Sequence, residues 1–331
     1  IEEILRIYGY NKIMIPEQMK MSEPFIEKRS LETLYENLSG YLVSNGFHEV
    51  LCNSLTSETN DEKKGVVRLL NPLSRDLNVL RNDMLHPILE AAAYNFNRKN
   101  EDLKFFERGR TYSLVNSEYV ETNHLVLLLS GNQHAEHWRE KKKAFDLYYL
   151  KSLILQTIKA NGYPITSNLK FETYRDSDYS EALKLVNGNF VVAICGKVNT
   201  ETARSHNIKQ DVFFIDIDMD KVKALDVDIL WEYNDIPRFQ DVRRDLSMVL
   251  DAQVTFEDLV DLAFQTDKKL LREVNLFDVY QGSKIEKGKK SYALSFILRD
   301  DNGTLKDSQI DKVINKLMSA YEQKFGAQIR K

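Results

Sequence analysis

The sequence predicts an α+β protein of two domains, each built on an antiparallel sheet, and three observations lead to this prediction. The chain has 331 residues, more than one hydrophobic core usually holds. Segments with the period of an amphipathic helix are interspersed with segments that read as strands. Pro237 interrupts regular structure between two such mixed stretches. We therefore expect the end of a preceding domain and a linker at 1–19, a first domain at 20–225, a linker at 226–236 and a second domain at 237–331.

The first domain is predicted to be a mixed unit around a largely antiparallel sheet. Helical spacing in "IEEILRIYGYNKI" and in residues 30–46 predicts two helices, the second with Ser30 as its N-cap and Gly46 as its stop. The remaining signals are a strand in "FHEVLCNSLTS", a helix from about Pro87 to Arg98, neighbouring strands in "LKFFERGRTYSL" and "ETNHLVLLLSG", a helix ending at Gly162, a hairpin across Asn187-Gly188 and a last strand in "VFFIDIDMDKV".

The second domain has a distinctive element order. The signals predict strand 245–251, helix 256–265, strands 271–280 and 291–299, helix 307–325 and a short strand 327–330. This β-α-β-β-α-β order is the split ferredoxin-like arrangement, in which two helices cover one face of the sheet and leave the other open.

The hairpin "NLFDVYQGSKIEKGKKSYALSFILRD" has one strongly apolar face, formed by the alternate residues from Tyr292 to Leu298. Strict alternation places Phe277 and Val279 on one face of the preceding strand and Asp278 and Tyr280 on the other. We expect the polar side of this hairpin, including Ser291, to be the open face of the sheet.

Composition excludes several classes of protein. The formal net charge of -4 argues against a protein that coats nucleic acid non-specifically. From Asp235 onward the chain carries about one net positive charge, so any contact with a polyanion is expected in this part of the chain before the rest. Cys52 and Cys195 lie far apart without a metal-ligand spacing, which suits a reducing compartment. No apolar run is long enough to span a bilayer.

Two further motifs can each be interpreted as a binding site or as an ordinary structural feature. His134 and His137 are three residues apart in "HAEHW", but a zinc site needs a third ligand, and Trp138 beside them is interpreted as a packing anchor. The lysine-rich turn "GSKIEKGKK" fits a solvated surface as well as it fits phosphate contact; its lysines are Lys284, Lys287, Lys289 and Lys290.

Several stretches of the sequence resemble those of a known family. The stretch "IPRFQDVRRDLSMVL", with "LLREVNLFDVYQG" and the segment from "KKSYALSFILRD" to the end, resembles the ferredoxin-fold anticodon-binding domain of bacterial-type phenylalanyl-tRNA synthetase β subunits. Upstream, "LLNPLSRDLNVLRNDMLHPILEAAAYNFNR" and "LKFFERGRTYSL" resemble the class II synthetase-like module of the same subunit. The resemblance implies a C-terminal segment of that subunit, without its N-terminal tRNA-binding and editing domains.

The resemblance implies a cytoplasmic enzyme in which a separate α subunit binds ATP and attaches Phe to tRNA-Phe within an α2β2 assembly. A catalytic class II core needs arginines that hold ATP phosphates. Here the strand "LKFFERGRTY" lacks the Arg-x-Glu order of the catalytic motif, and "VFFIDIDMDKV" lacks a glycine-arginine ending. We expect no catalytic residue in this chain, which alone should be inactive, and a structural or interfacial role for Arg108 and Arg110.

Family residues that meet the wobble-position guanine of tRNA-Phe map onto Asp278, Tyr280 and Ser291. An exposed tyrosine ring can stack a splayed base, and short polar groups can bind its edge. Candidates for contact with the RNA backbone are Arg238, Arg243 and Arg299.

A magnesium site is a further expectation from the resemblance. Glu2 and Glu3 stand where the family places carboxylates of an Mg²⁺ site. The aspartate ligands of that site lie upstream of Ile1, so acidic residues at a solvated helix start are the better explanation of this pair.

Two other functions stay open. The chain could be an autonomous class II ligase whose module is active. It could also be an assembly module whose second domain contacts protein and no RNA.

Overall fold

The computed structural model describes residues 1–15, 18, 21, 30–58, 65–163, 169–225, 235–282 and 285–330. It consists of two compact units, Ile1–Leu230 and Trp231–Lys331. Residues 226–234 of the predicted linker and Lys284 of the predicted turn lie outside the described residues. None of the described helices is both long enough and apolar enough to cross a membrane.

The first unit is built on a large, mostly antiparallel sheet. Its elements are α1 (Glu2–Tyr8), α2 (Leu31–Ser44), β1 (His48–Glu49), β2 (Leu55–Thr56), β3 (Val79–Leu80), α3 (Leu85–Phe96), β4 (Leu103–Val115), β5 (Glu118–Ser130), α4 (Leu147–Ala160), β6 (Leu169–Tyr174), β7 (Tyr179–Asn187), β8 (Phe190–Val198), α5 (Thr200–Ser205), β9 (Val212–Asp218) and α6 (Met219–Lys223). The seven-stranded sheet has the order β1-β4-β5-β9-β8-β7-β6, and β2 pairs with β3. Only the β1–β4 pair of this sheet is parallel among the described strands, so the prediction of a largely antiparallel sheet is confirmed.

Helices cover both faces of this sheet. Leu125, Leu127 and Leu129 of β5 pack with α2 and α4, whereas Val126 and Leu128 pack with α3 on the opposite face. A strand buried on both faces reads as a continuous apolar run, which explains the sequence "LVLLL".

The predicted caps and turns are mostly in place. The Ser30 hydroxyl accepts a hydrogen bond from the Thr33 backbone N–H at 3.2 Å, so Ser30 is the N-cap of α2 as expected. The hairpin turn lies one residue later than predicted, because Asn187 pairs with Phe190 and the turn is Gly188-Asn189.

Other differences are larger. The segment "FHEVLCNSLTS" contains two separate short strands, β1 and β2, instead of one. Strand β6 and the short helices α5 and α6 were not predicted from the sequence.

The second unit has the predicted element order. It comprises β10 (Val242–Asp251), α7 (Phe256–Thr266), β11 (Leu271–Tyr280), β12 (Lys289–Leu298), α8 (Asp307–Phe325) and β13 (Gln328–Arg330). Its sheet has the order β11-β12-β10-β13, and every pair is antiparallel. This topology confirms the ferredoxin-like βαββαβ fold.

One face of the second sheet forms the core with both helices. Leu294 and Phe296 of β12 are fully buried against α7 and α8. The Tyr321 hydroxyl of α8 donates a hydrogen bond to the Leu259 carbonyl oxygen of α7 at 3.0 Å, which ties the two helices together. The residues between these core positions therefore point to the face that the helices leave uncovered.

Candidate nucleic-acid interface

The pairing of β11 with β12 fixes which residues share the uncovered face. Leu276 pairs with the buried Leu294, Asp278 with Ala293, and Tyr280 with Ser291. Leu276 consequently faces the core, while Asp278, Tyr280 and Ser291 lie on the uncovered face. The structure thus brings together the three residues predicted to meet a base, and their role stays a prediction.

A β-bulge at Phe277 makes this arrangement possible. The pairing advances by two residues on β11 and one on β12 between Leu276 and Asp278, so Phe277 is an extra residue. If Phe277 were a regularly paired strand residue, strict alternation would put Leu276 and Asp278 on the same face.

The predicted position of Phe277 on the core face is wrong. Its side chain is 49% exposed, and the Arg243 guanidinium lies 5.3 Å from its ring centroid. Arg243 pairs with Ile297 on the uncovered face and is bound by both carboxylate oxygens of Asp245, at 2.8 and 3.3 Å. Arg243 and Phe277 therefore form a second aromatic and cationic surface, which alternation alone could not reveal.

The Tyr280 ring is held from one side. Its side chain is 40% exposed. A Cβ atom added at Gly282 would lie 2.6 Å from the Tyr280 hydroxyl oxygen, so the ring end rests against the glycine backbone. A larger residue at position 282 would therefore have to displace the end of this ring.

Ser291 contributes less open surface than expected. It is 7% exposed, and Ser295, on the same face, is 3% exposed. Both short side chains are therefore largely withdrawn from solvent. Asp278 is exposed, so its carboxylate is the accessible hydrogen-bond acceptor.

The predicted backbone-binding arginines differ in their surroundings. Arg299 is already paired, with Nη1 3.3 Å from Asp241 and Nε 2.9 Å from Asp301. Arg238 is exposed ahead of β10. Of the three, Arg238 is the most open to a phosphate, whereas Arg243 stacks and Arg299 braces the end of β12.

The lysines of the following turn are also distinct. Lys290 is 7% exposed and lies 4.5 Å from the Tyr292 ring centroid, so its reading as a solvated lysine is wrong. Lys289 pairs with Glu286 at 2.7 Å, and Lys287 is exposed.

Strand β4 of the first unit carries two arginines that form ion pairs. Arg108 contacts Glu49 at 3.0 Å and Glu32 at 3.5 Å. Arg110 contacts Glu121 at 3.2 Å. These ion pairs support the structural role predicted for both arginines.

The face of β4 beside these arginines is filled. Arg81 and Glu107, 3% and 0% exposed, form a buried ion pair at 2.7 Å. A Cβ atom at Gly109 would overlap Met84 and the Arg81 guanidinium. The side chains of Met84 and Arg81 thus fill the space above β4 that would otherwise be open.

A polar cluster in the first unit was not predicted. His124 Nδ1 lies 2.7 Å from Asp216, and its Nε2 lies 2.9 Å from the Thr111 hydroxyl. Burial alone lowers the pKa of His124, but Asp216 with the nearby Asp218 and Asp220 outweighs it, so the pKa is raised. The cluster links β4, β5 and β9 through side-chain hydrogen bonds, and we interpret it as a structural network.

The two residues predicted to bind magnesium lie on α1, and their role stays a prediction. Glu2 and Glu3 are exposed in the first turn of α1, and Glu3 lies 3.9 Å from Arg6. The described part of the chain holds no group of three or more His, Cys, Asp or Glu residues that could bind a metal. Two adjacent carboxylates could supply only part of the octahedral oxygen shell of Mg²⁺.

The reading of Trp138 as a packing anchor is wrong, since its side chain is 90% exposed.

Comparison with known proteins gives matches in both units. The family model of the phenylalanyl tRNA synthetase beta chain CLM domain matches residues 15–219. The model of the ferredoxin-fold anticodon binding domain matches residues 237–330. The chain belongs to the phenylalanyl-tRNA synthetase beta chain family.

Relatives named phenylalanine–tRNA ligase beta subunit align along the whole chain. The protein of Bacteroides fragilis is 38% identical over 347 residues, covering 100% of this chain and 42% of the relative. That of Porphyromonas gingivalis is 33% identical with the same coverage. The chain thus spans about two fifths of the length of these beta-chain relatives. A solved pyrrolysyl tRNA synthetase from Desulfitobacterium hafniense aligns with a TM-score of 0.46 and 17% identity, over 59% of this chain and 68% of that one.

Proposed function

We propose that this chain is a C-terminal part of the β subunit of a phenylalanine–tRNA ligase and that the uncovered face of its second unit binds the anticodon region of tRNA-Phe. The observation that carries the proposal is the bulged strand β11, which places Asp278, Tyr280 and Phe277 on that face. The match of this unit to the anticodon-binding family supports the same assignment.

The face offers complementary contacts to an unpaired guanine. The Tyr280 ring can stack on the base, because one side of the ring is supported by Gly282 and the side chain is 40% exposed. The Asp278 carboxylate can accept hydrogen bonds from guanine N1–H and N2–H. Ser291 lies directly across from Tyr280 in the register of the sheet. Its hydroxyl can form a hydrogen bond to a base edge that displaces the groups burying it.

Phe277 and Arg243 extend this surface toward a second nucleotide. Asp245 binds the edge of the Arg243 guanidinium, so the flat face of the group can stack on Phe277. Because Asp245 already occupies its N–H donors, Arg243 is less available to bind a phosphate. Backbone contact then falls chiefly to Arg238 and Lys287.

The first unit is proposed to support catalysis without performing it. Its β4 arginines are engaged in ion pairs, and Met84 and Arg81 fill the space beside Gly109. We assign ATP and Mg²⁺ to a separate α subunit, which would join Phe to tRNA-Phe in an α2β2 assembly. The two cysteines are free and suit a cytoplasmic protein.

The test is to assemble the β subunit containing this chain with its α subunit and measure charging of tRNA-Phe. Asp278→Ala should lower kcat/KM for normal tRNA-Phe. It should also erase the preference for guanine over inosine at the wobble position, because inosine lacks the N2 amino group. An unchanged preference in Asp278→Ala would refute the assignment of Asp278 to the base edge.

The other two functions predict different results. An autonomous ligase requires Phe-dependent ATP–pyrophosphate exchange by this chain alone. An assembly module without RNA contact requires equal charging by Asp278→Ala, Tyr280→Ala and the unaltered protein.

A further inference from the structure

A loop in the first unit carries an exposed aromatic ring that the proposed anticodon contact does not use. It is the segment "HAEHWREKKK", residues 134–143, here named the Trp138 loop. All ten residues are exposed, and the Trp138 side chain is 90% exposed. A tryptophan so open to water commonly marks a binding surface, since tryptophan is enriched at interface hot spots.

The base of this loop is firmly anchored. The Gln133 backbone N–H donates to the Lys143 carbonyl at 2.8 Å, and its side-chain amide donates to the Ala144 carbonyl at 2.8 Å. On the incoming side, the Asn132 backbone N–H donates to the Asp102 carboxylate at 2.7 Å. Trp138 is therefore presented by a fixed support, so its exposure is not explained by a frayed segment.

The charge of the loop favours a polyanion. It holds the cations Arg139, Lys141, Lys142 and Lys143 against the carboxylates Glu136 and Glu140, within a chain of net charge -4. Lys142 pairs with Glu136 at 3.4 Å. Within the described residues the other three cations make no ion pair, so they are free to bind phosphates.

The composition of the loop favours nucleic acid over a protein partner. Protein interfaces have an apolar centre from which charged residues are depleted. Here a single indole stands among charged and polar side chains, with only Ala135 as an apolar neighbour in the loop. One flat ring flanked by cations is the arrangement that stacks an unpaired base while the cations hold its backbone.

We propose that the Trp138 loop is a second RNA contact, in which the indole stacks on an unpaired base of the tRNA and Arg139, Lys141 and Lys143 bind adjacent phosphates. This inference rests on the proposed function, because it takes tRNA as the polyanion. It adds a contact on the class II-like unit to the one assigned to the second unit.

Trp138 can report its own stacking. The chain has two tryptophans, so Trp231→Phe leaves Trp138 as the only source of tryptophan fluorescence. Titration of this variant with a tRNA-Phe transcript should quench and saturate the emission, and added salt should reverse the effect. Heparin, a polyanion without bases, should bind without comparable quenching.

Affinity measured by filter binding provides an independent readout. Trp138→Ala should weaken tRNA binding by roughly 5- to 150-fold, the loss typical of one stacked base. Lys141→Gln with Lys143→Gln should reduce the slope of log affinity against log salt by about 1.4 to 1.8. Tyr119→Ala, which removes another exposed ring (77%), is the matched control and should change neither quantity.

The outcomes separate this inference from the proposed function. If Tyr280→Ala weakens binding while Trp138→Ala does not, the loop contact is refuted and the anticodon face stands. If Trp138→Ala weakens binding and Tyr280→Ala does not, the loop contact stands and the anticodon assignment fails. Absence of quenching at saturating tRNA, or quenching by the α subunit with none by tRNA, overturns the RNA contact.

Discussion

Replacement of Tyr280 tests the stacking surface most directly. Three variants separate the properties of its ring: Tyr280→Phe removes only the hydroxyl, Tyr280→Leu keeps apolar bulk without a π-face, and Tyr280→Ala removes both. If the ring stacks a base, Tyr280→Phe should retain binding, and the other two should lose about 1 to 3 kcal/mol, or roughly 5- to 150-fold in Kd.

The cost to folding can be worked from the burial of the side chain. A fully buried aromatic side chain removes about 150 to 250 Å² from water. Tyr280 is 40% exposed, so its share is roughly 90 to 150 Å², or at most about 2 to 4 kcal/mol. A domain is typically stable by about 5 to 15 kcal/mol, so we expect the alanine variant to stay folded with a lower unfolding midpoint.

The assay is tRNA-Phe binding at several salt concentrations, with urea unfolding of each variant alongside. Tyr280→Leu is decisive because it preserves much of the contact with the chain and none of the stacking. Binding by Tyr280→Leu that equals the binding of Tyr280→Phe would refute the stacking role. A parallel loss in all three variants would point to the hydroxyl instead.

Three further predictions concern the bulge, the buried ion pair and the histidine cluster. Deletion of Phe277 should restore regular alternation with Asp278 and Tyr280 still on the uncovered face, so the preference for guanine over inosine should persist; its loss would contradict the register argument. Arg81→Met should destabilise the first unit by about 3 to 5 kcal/mol because it leaves the Glu107 charge buried and unpaired, and a loss below about 1 kcal/mol in urea unfolding would contradict this. The raised pKa of His124 means that its stabilising charge is fully present below about pH 6.5 and is lost as pH rises through the folded-state pKa. The stability difference between the unaltered chain and His124→Asn should therefore shrink with rising pH in unfolding experiments, and a difference that grows would give the opposite sign.

The sequence could predict the second unit well because its signals are local. The apolar residues of β12 alternate without interruption from Tyr292 to Leu298, so their face and the opposite one follow from the period of a strand. The bulge at Phe277 broke the same rule one strand earlier. The sequence does contain a trace of the bulge. Val274 and Leu276 are two residues apart, as alternation requires, but the next apolar residue on their face, Val279, comes three residues after Leu276.

Other side chains depended on partners distant in sequence. Arg299 is matched by Asp241, 58 residues before it, and no local pattern announces that pair. Lys290 looked like one of several turn lysines, but its place on β12 turns it toward Tyr292. Trp138 was likewise predicted to be a packing anchor, and its 90% exposure has no local signal in the sequence.

The bulges of β11 also bear on self-association. Among the described strands β11 lies at the edge of its sheet and pairs only with β12, and Phe277, Val279 and Tyr280 near its end are 40 to 49% exposed. A straight apolar edge of this kind is a template for pairing with another chain. Irregular steps at Leu271/Glu273 and Leu276/Asp278 interrupt the row of donors and acceptors that such pairing would need. The extra residue that turns the Phe277 ring outward thus also makes this edge a poor template for pairing with a second copy.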